Sequence, residues 1–269
     1  LRTILDSPMQ ATDLSNSLAA AVNRAAASLV RVNARRRASS GILFSAGGGP
    51  TTELVVTAAH TLHHTVGVTV TLGDGRELAA VLVGVDPTTD LALLRLPEAL
   101  PAALSTEDGG GRVGEVVLSL GLTPFGLRAA FGIVAGVGGA WRTRAGGRVN
   151  RYINVDGSLP PGLSGGALVN AAGELIGLNS SGLTRGGGTL PVATLTRIVA
   201  QLLAHGGVRQ PFLGVGVQPA SLVGHPAAGG QEAGLLVVSL TPDSPATAGG
   251  LRVGDVIVAA GGQALGHPS

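Results

Sequence analysis

The sequence predicts a mostly β protein, a sandwich or a pair of barrels built from short strands, with a smaller strand-rich region after it. Three observations carry this. Apolar residues make up 45% of the 269 residues and aromatics only 2%, so the core must be built from Val, Leu, Ile and Ala. From residue 28 to about 200, short apolar runs alternate with turn residues at fairly even spacing. The richness in Val, Gly and Thr favours strands and turns over helices.

Each element follows in order. "TDLSNSLAAAVNRAAASLVRV" is alanine-rich, with Asp13 or Ser15 as N-cap, and reads as a helix leading into the first strand; residues 1–27 thus form an N-terminal helical segment. The strands are then "LVRVN", "GILFS", "ELVVTAA", "VTVTL", "LAAVLVGVD", "DLALLRL", "EVVLSLG", "GIVAGVG", "YINVD", "GALVN" and "ELIGLNS". Asp74-Gly75 lies between two strand-like runs, a hairpin signal, and "NAAGELIGL" repeats the pattern around Gly173. "TLTRIVAQLLAHGG" has helical spacing and ends on glycines, so a helix closes this region. A boundary falls near Gly206 to Pro211. The strand-rich region beyond it has about sixty residues, few for an independent core.

Composition removes several function classes. Net charge is +2, and all 18 basic residues are arginine. The single basic cluster, Arg35-Arg36-Arg37, has no interleaved aromatics and reads as a solvated loop, so no nucleic-acid partner is expected. There is no cysteine, which excludes disulfides, thiolate chemistry and cysteine-based zinc sites. His63-His64 has no third ligand at a recognisable spacing, so no metal is expected there. Val116 to Trp141 carries one charge, Arg128, and a hydropathy window would flag it. Pro124 and several glycines instead divide it into two buried strands around a turn. No signal peptide is visible at the start, so the chain is expected to be either cytoplasmic or presented without its leader.

The chemistry-bearing stretch is "PPGLSGGAL", residues 160–168, where Ser164 sits between a glycine turn and two more glycines. It is either a loop or a nucleophile whose backbone must bend tightly, which glycine permits. A nucleophilic serine needs a base, and the base needs an orienting acid. "ELVVTAAHTL" places His60 at the end of an apolar strand, and "VDPTTDLALLRL" places Asp90 just before another. Alone, each is a common structural residue. The order His, Asp, Ser along the chain is a known order for a catalytic triad.

Thr57-Ala58-Ala59-His60, Thr89-Asp90-Leu91-Ala92 and Gly162-Leu163-Ser164-Gly165-Gly166 together resemble the trypsin-like serine proteases, and within them the HtrA (DegP/DegS) family. "GDGRELAAVLVGVDPTTDLALLRL" and "VDGSLPPGLSGGALVNAAGELIGLNS" are similar to that family's histidine–aspartate and serine segments. "FLGV" and "SPATAGGLRVGDVIVAAGGQ" resemble its PDZ domain. The resemblance implies a chymotrypsin-like double six-stranded β-barrel over residues 28–206, with barrels of about 28–108 and 109–200, followed by a partial PDZ domain over 211–269. It implies His60 as base, Asp90 as its orienting acid and Ser164 as nucleophile. The oxyanion hole falls on Gly162, Leu163 and Ser164, with the N–H groups of Gly162 and Ser164 as donors.

Two departures stand out. Leu163 replaces the polar Asn or Asp that usually precedes the serine, and Ala167 stands where proline is frequent. The primary specificity pocket falls by motif position on Ser158, Leu159, Asn179, Ser180 and Ser181, none of them charged. An apolar pocket for a small or medium aliphatic side chain is expected. Asp156 is either a support of the serine loop or a simple loop acid. Phe212, Leu213, Gly214 and Val215 match the PDZ loop that holds a peptide terminus. The family's last groove helix and strands are not reached by Ser269, so weak binding of peptide C-termini is expected. The resemblance further implies a homo-oligomer, a trimer, and an extracytoplasmic location, periplasmic or membrane-tethered. The expected function is a serine endopeptidase that cleaves unfolded or misfolded proteins in quality control by acyl-enzyme chemistry, without a cofactor. Its competitor is a catalytically silent chaperone-like or scaffold protein that keeps the fold.

Overall fold

The computed structural model describes residues 11–34, 37–62, 67–101, 104–106, 110–184, 186–208, 213–224 and 231–265. Arg35, Arg36, His63, His64 and Phe212, which the sequence singled out, lie outside the described residues. The chain divides into two compact units, Leu1–Val208 and Arg209–Ser269.

In the first unit, helix α1 spans Ala11–Ala26. Asp13 and Ser15 therefore lie inside it rather than at its N-cap, and Asp13 sits in the first turn, where a carboxylate complements the helix dipole. Its Ala21 and Ala25 are fully buried. Strands β1 (Leu29–Ala34), β2 (Arg37–Leu43), β3 (Thr51–Ala58), β4 (Thr69–Thr71), β5 (Glu77–Ala79), β6 (Val81–Asp86) and β7 (Leu91–Pro101) follow. They form one antiparallel sheet in the order β5-β4-β1-β2-β3-β7-β6. β5 and β6 are one strand bent at Ala80, whose N–H donates to Val68 O (2.9 Å). Its first half pairs with β4 and its second with β7, which joins the two edges of the sheet into a barrel. With the bent pair taken as one strand, the seven become the expected six. Val30, Val32, Val55, Val70 and Leu94 fill its interior, the alternate positions of strands half-buried by their neighbours.

The second sheet takes β8 (Val116–Thr123), β9 (Gly126–Gly138), β12 (Tyr152–Val155), β13 (Ala167–Asn170), β14 (Leu175–Ser180) and β15 (Gly188–Pro191), in the order β12-β9-β8-β13-β14-β15. A small ribbon, β10 (Trp141–Arg142) with β11 (Arg148–Val149), lies outside it. The two edges of the sheet, β12 and β15, lie against each other. The stretch that a hydropathy window flags is the β8–β9 hairpin, paired from Val116↔Ile133 to Thr123↔Gly126. Among the described residues, no helix is long and apolar enough to cross a membrane.

Helix α2 (Val192–His205) closes the unit. Val192, Leu195, Ile198, Val199 and Leu202 form its buried stripe at helical spacing. Each such side chain contributes roughly 1.5–3 kcal/mol on burial. Gly206 ends the helix at φ 68, its N–H returning to Leu202 O (2.8 Å), as a left-handed cap requires.

The second unit holds an antiparallel sheet of β16 (Val215–Ser221), β17 (Ala233–Leu240) and β18 (Val256–Ile257). A short helix, α3 (Pro245–Ala248), is capped by the Ser244 hydroxyl, and β19 (Ala259–Ala260) pairs with β20 (Gln263–Ala264). Leu222, Leu235, Val237 and Ala246 are its buried apolar residues among those described.

Candidate active site

The β-branched run of β3 carries the chain to the rim of the first barrel, where a single 3-10 turn, Ala59–Thr61, presents His60. Two bonds pin that turn to the strand beside it. Ala59 N–H donates to Asp90 O (3.0 Å), and His60 N–H donates to Asp90 Oδ1 (2.8 Å). The imidazole Nδ1 lies 2.7 Å from Asp90 Oδ2, so Nδ1 carries the proton and Nε2 is left with its lone pair. The hydrogen bond to Asp90 raises the His60 pKa above its ordinary 6.5; partial burial opposes the rise, and the carboxylate charge adds to it.

Asp90 ends the turn between β6 and β7 with φ 59, a left-handed conformation uncommon outside glycine and asparagine. A second carboxylate holds that turn. Asp86, 2% exposed, accepts from Thr88 N–H (3.0 Å) and Thr88 Oγ1 (2.6 Å) through Oδ1, and from Thr89 Oγ1 (2.6 Å) through Oδ2. The Thr143 hydroxyl donates to Thr88 O from the other side. Sequence reasoning missed Asp86, although its place four residues before Asp90 in "DPTTD" was the available signal. The Ser180 hydroxyl, at the end of β14, also donates to Asp90 Oδ2.

Ser164 lies in the link between β12 and β13. Leu163 N–H donates to Pro160 O (3.2 Å), closing a turn over Pro161 and Gly162, and Gly162 takes φ 88 as the third position of a type II turn demands. Leu163 N–H is spent in that turn, which leaves the amides of Gly162 and Ser164 on either side of it. Neither donates to a protein acceptor among the described residues. Ser40 of β2 fixes the orientation from the first barrel: its hydroxyl donates to Gly162 O (2.8 Å) and its N–H to Ser164 O (3.2 Å). Leu163, 1% exposed, packs beneath the loop, so an apolar side chain and Ser40 do the anchoring that a polar residue before the serine would do.

Gly165 presses the same loop onto the first barrel. A Cβ there would lie 2.1 Å from Ser40 O and 2.5 Å from Thr57 Oγ1, at φ 83. Gly165→Ala is expected to cost on the order of 3 kcal/mol, left-handed strain and overpacking together. A urea titration beside the parent chain measures it, and an unchanged midpoint would show that the loop relaxes freely.

The predicted wall residues separate. Ser158, Leu159 and Asn179 line a cavity of about 250 Å³ that also takes Asp156, Thr189 and Phe131. Asn179 spends its amide on Ala167 O and its carbonyl on Thr189 Oγ1, so it adds little unpaired polarity. Asp156 is exposed and enters the cavity lining. Ser180 and Ser181 lie at the dyad instead. Ser181 Oγ is 3.2 Å from His60 Nε2 and 2.9 Å from Ser164 Oγ, and Ser181 N–H donates to Ser164 Oγ (3.1 Å). In the second unit, Gly214 takes φ 74, and the carbonyls of Leu213 and Gly214 accept from Ala246 N–H (2.9 Å) and Thr241 N–H (2.8 Å). Val215 opens β16. Among the described residues no group of three or more metal-ligating side chains is gathered.

Comparisons with known proteins point the same way. Residues 39–178 match the model of the trypsin-like peptidase domain, and residues 236–269 match that of the PDZ domain. A probable periplasmic serine endoprotease, DegP-like, from Halomonas elongata is 35% identical over 245 residues, covering 87% of this chain and 50% of the relative. Its counterpart from Brucella suis is 34% identical over 241 residues, covering 85% of this chain and 45% of the relative. The chain thus spans about half the length of these curated relatives. Among solved structures, the HtrA-type protease AlgW with decapeptide superimposes with a TM-score of 0.72 at 30% identity, covering 93% of this chain and 87% of that one. The serine endoprotease from Yersinia pestis gives 0.69 at 28% identity, covering 93% and 81%. The paired barrels and the sequence likeness agree, and the chain belongs to the trypsin-like peptidase family, among its HtrA-type members.

Proposed function

We propose that the chain is a serine endopeptidase acting on unfolded or misfolded proteins outside the cytoplasm. One observation carries this reading: the His60–Asp90 pair lies beside a glycine-bounded Ser164 whose own amide, with that of Gly162, has no protein acceptor among the described residues. A substrate carbonyl placed on those two amides would meet the Ser164 hydroxyl. His60 takes the hydroxyl proton as Oγ attacks, and Asp90 keeps the imidazole in the tautomer that can accept it. The amides hold the oxyanion, each worth about 3 kcal/mol at the transition state. His60 then protonates the leaving amine, and water, deprotonated by His60, releases the acyl group from Ser164.

The wider reading draws on relatives. The DegP-like relatives are named periplasmic, which supports an extracytoplasmic site of action. The AlgW structures hold peptides, which supports peptide binding here, with the PDZ loop at 212–215 as the place for a C-terminus. A homo-oligomer, a trimer, is part of the proposal. The cavity beside Leu159 and Phe131 is proposed to take a small or medium aliphatic side chain.

The test is incubation with a reduced, unfolded protein together with a serine-directed fluorophosphonate. Fragmentation that stops as one label attaches to Ser164 supports the reading. Neither fragments nor label leaves the silent scaffold.

A pH dependence follows from the base. His60 must be neutral to accept a proton, and its pKa lies above 6.5. Cleavage is therefore expected to rise with pH through a midpoint above 6.5, read as the acid limb of kcat/KM. A midpoint below 6.5 would mean that His60 is not the base, or is not bonded to Asp90 in the working enzyme.

A further inference from the structure

Ser181 stands between the two groups that must exchange a proton. His60 Nδ1–H donates to Asp90, so Nε2 can only accept, and Ser181 must donate its hydroxyl proton in a hydrogen bond to it across 3.2 Å. Having spent that proton, Ser181 Oγ can only accept from Ser164 across 2.9 Å. The Ser181 N–H completes the hold by donating to Ser164 Oγ at 3.1 Å. The nucleophile thus points its proton at Ser181 and ties a lone pair there. Among the described residues no bond joins Ser164 to His60 directly.

The position of Ser181 is itself fixed. Ser180 is bonded to Asp90, and Gly182 N–H returns to Ser180 Oγ (2.9 Å). A Cβ on Gly182 would lie 2.6 Å from Asp90 Oδ2, so a side chain there would push this segment off the dyad. We propose that Ser181 is a latch: in the unliganded chain its hydroxyl and amide hold Ser164 away from His60, and acylation begins only when Ser164 leaves it. This rests on the serine-peptidase reading above. A standing relay through Ser181 explains less, because His60 must also deliver a proton to the leaving amine at Ser164, and an interposed hydroxyl blocks that reach. Ser181 is therefore a positioning residue.

Two measurements test it. The first needs no activity: the His60 titration is followed by NMR in the parent, Ser164→Ala, and Ser164→Ala with Ser181→Ala, with His60 assigned by its loss in His60→Gln. Asp90 is the charged group that shifts His60, and it is present in all three. Ser164→Ala alone is expected to leave the His60 pKa unmoved. Adding Ser181→Ala removes the donor to the neutral ring and is expected to raise it by about half to one unit. A shift with Ser164→Ala alone, or none on adding Ser181→Ala, overturns the latch. The second is the rate of labelling by a fluorophosphonate. Ser181→Ala is expected to label about threefold to tenfold faster than the parent, the equivalent of one hydrogen bond, and Ser181→Thr to return to the parental rate. An equal or slower rate for Ser181→Ala overturns it. If nothing labels while the titrations behave as stated, the latch stands and the peptidase reading fails.

Discussion

Replacing Ser164 by alanine is expected to lower cleavage of an unfolded protein on the order of 10⁴- to 10⁶-fold while leaving the fold intact. The loss is large because the substitution removes the attacking atom, whereas the two amides and the substrate contacts remain and account for the residual rate. The fold survives for local reasons. The Cβ stays, and the loop is held by backbone and Ser40 bonds that do not involve the hydroxyl. The Ser164 hydroxyl bonds Ser181, an exposed residue, so the partner it leaves behind regains water and the stability change is expected within about 1 kcal/mol. Fragment release measured by mass spectrometry, with a melting curve on the same samples, separates the two effects. Cleavage at the parental rate would remove Ser164 from the mechanism.

The residues proposed for that mechanism could be picked out in the sequence because they sit in local patterns. His60 follows a strand, Asp90 precedes one, and Ser164 is flanked by glycines that the turn needs at φ 88 and φ 83. What was not legible is what holds them, because it comes from far along the chain. Ser40 is separated by 122 residues from the Gly162 carbonyl it fixes, and no local pattern marks it. Ser181 was read as a pocket wall by motif position, yet its side chain turns to Ser164 and His60. Leu163 departs from the polar residue usual before the serine; in three dimensions it is an apolar anchor, buried where a polar side chain would need a partner. The strand pattern survived well, since alternation is local. The closure of the first barrel did not show, because it depends on one bend at Ala80 that lets a single strand serve both edges. The start of α1 was misplaced because Asp13 suits both an N-cap and a first turn.

Asp90→Asn is expected to lower kcat by about 10³- to 10⁴-fold with little change in melting temperature. Asparagine is chosen because φ 59 is a conformation it tolerates, so the backbone is not the variable. The hydrogen bonds then dictate which way the amide sits. Oδ1 of Asp90 accepts from the His60 backbone N–H, so the amide oxygen must stay there, since an NH₂ would face another donor. The NH₂ is thereby placed where Oδ2 meets His60 Nδ1 and the Ser180 hydroxyl. Ser180 can rotate to accept, which keeps the turn in place. His60 cannot keep its tautomer: Nδ1 becomes the acceptor and Nε2 takes the proton, so the nitrogen facing Ser181 and Ser164 no longer accepts one. The carboxylate that raises the His60 pKa is gone as well, so the His60 titration is expected to move down alongside the loss in rate. Kinetics with an unfolded substrate, the NMR titration and a melting curve read the three consequences separately. A variant within tenfold of the parent in kcat would mean that Asp90 holds the turn without orienting the base. A fall in rate with His60 still titrating as in the parent would place the defect in the turn that Asp86 supports.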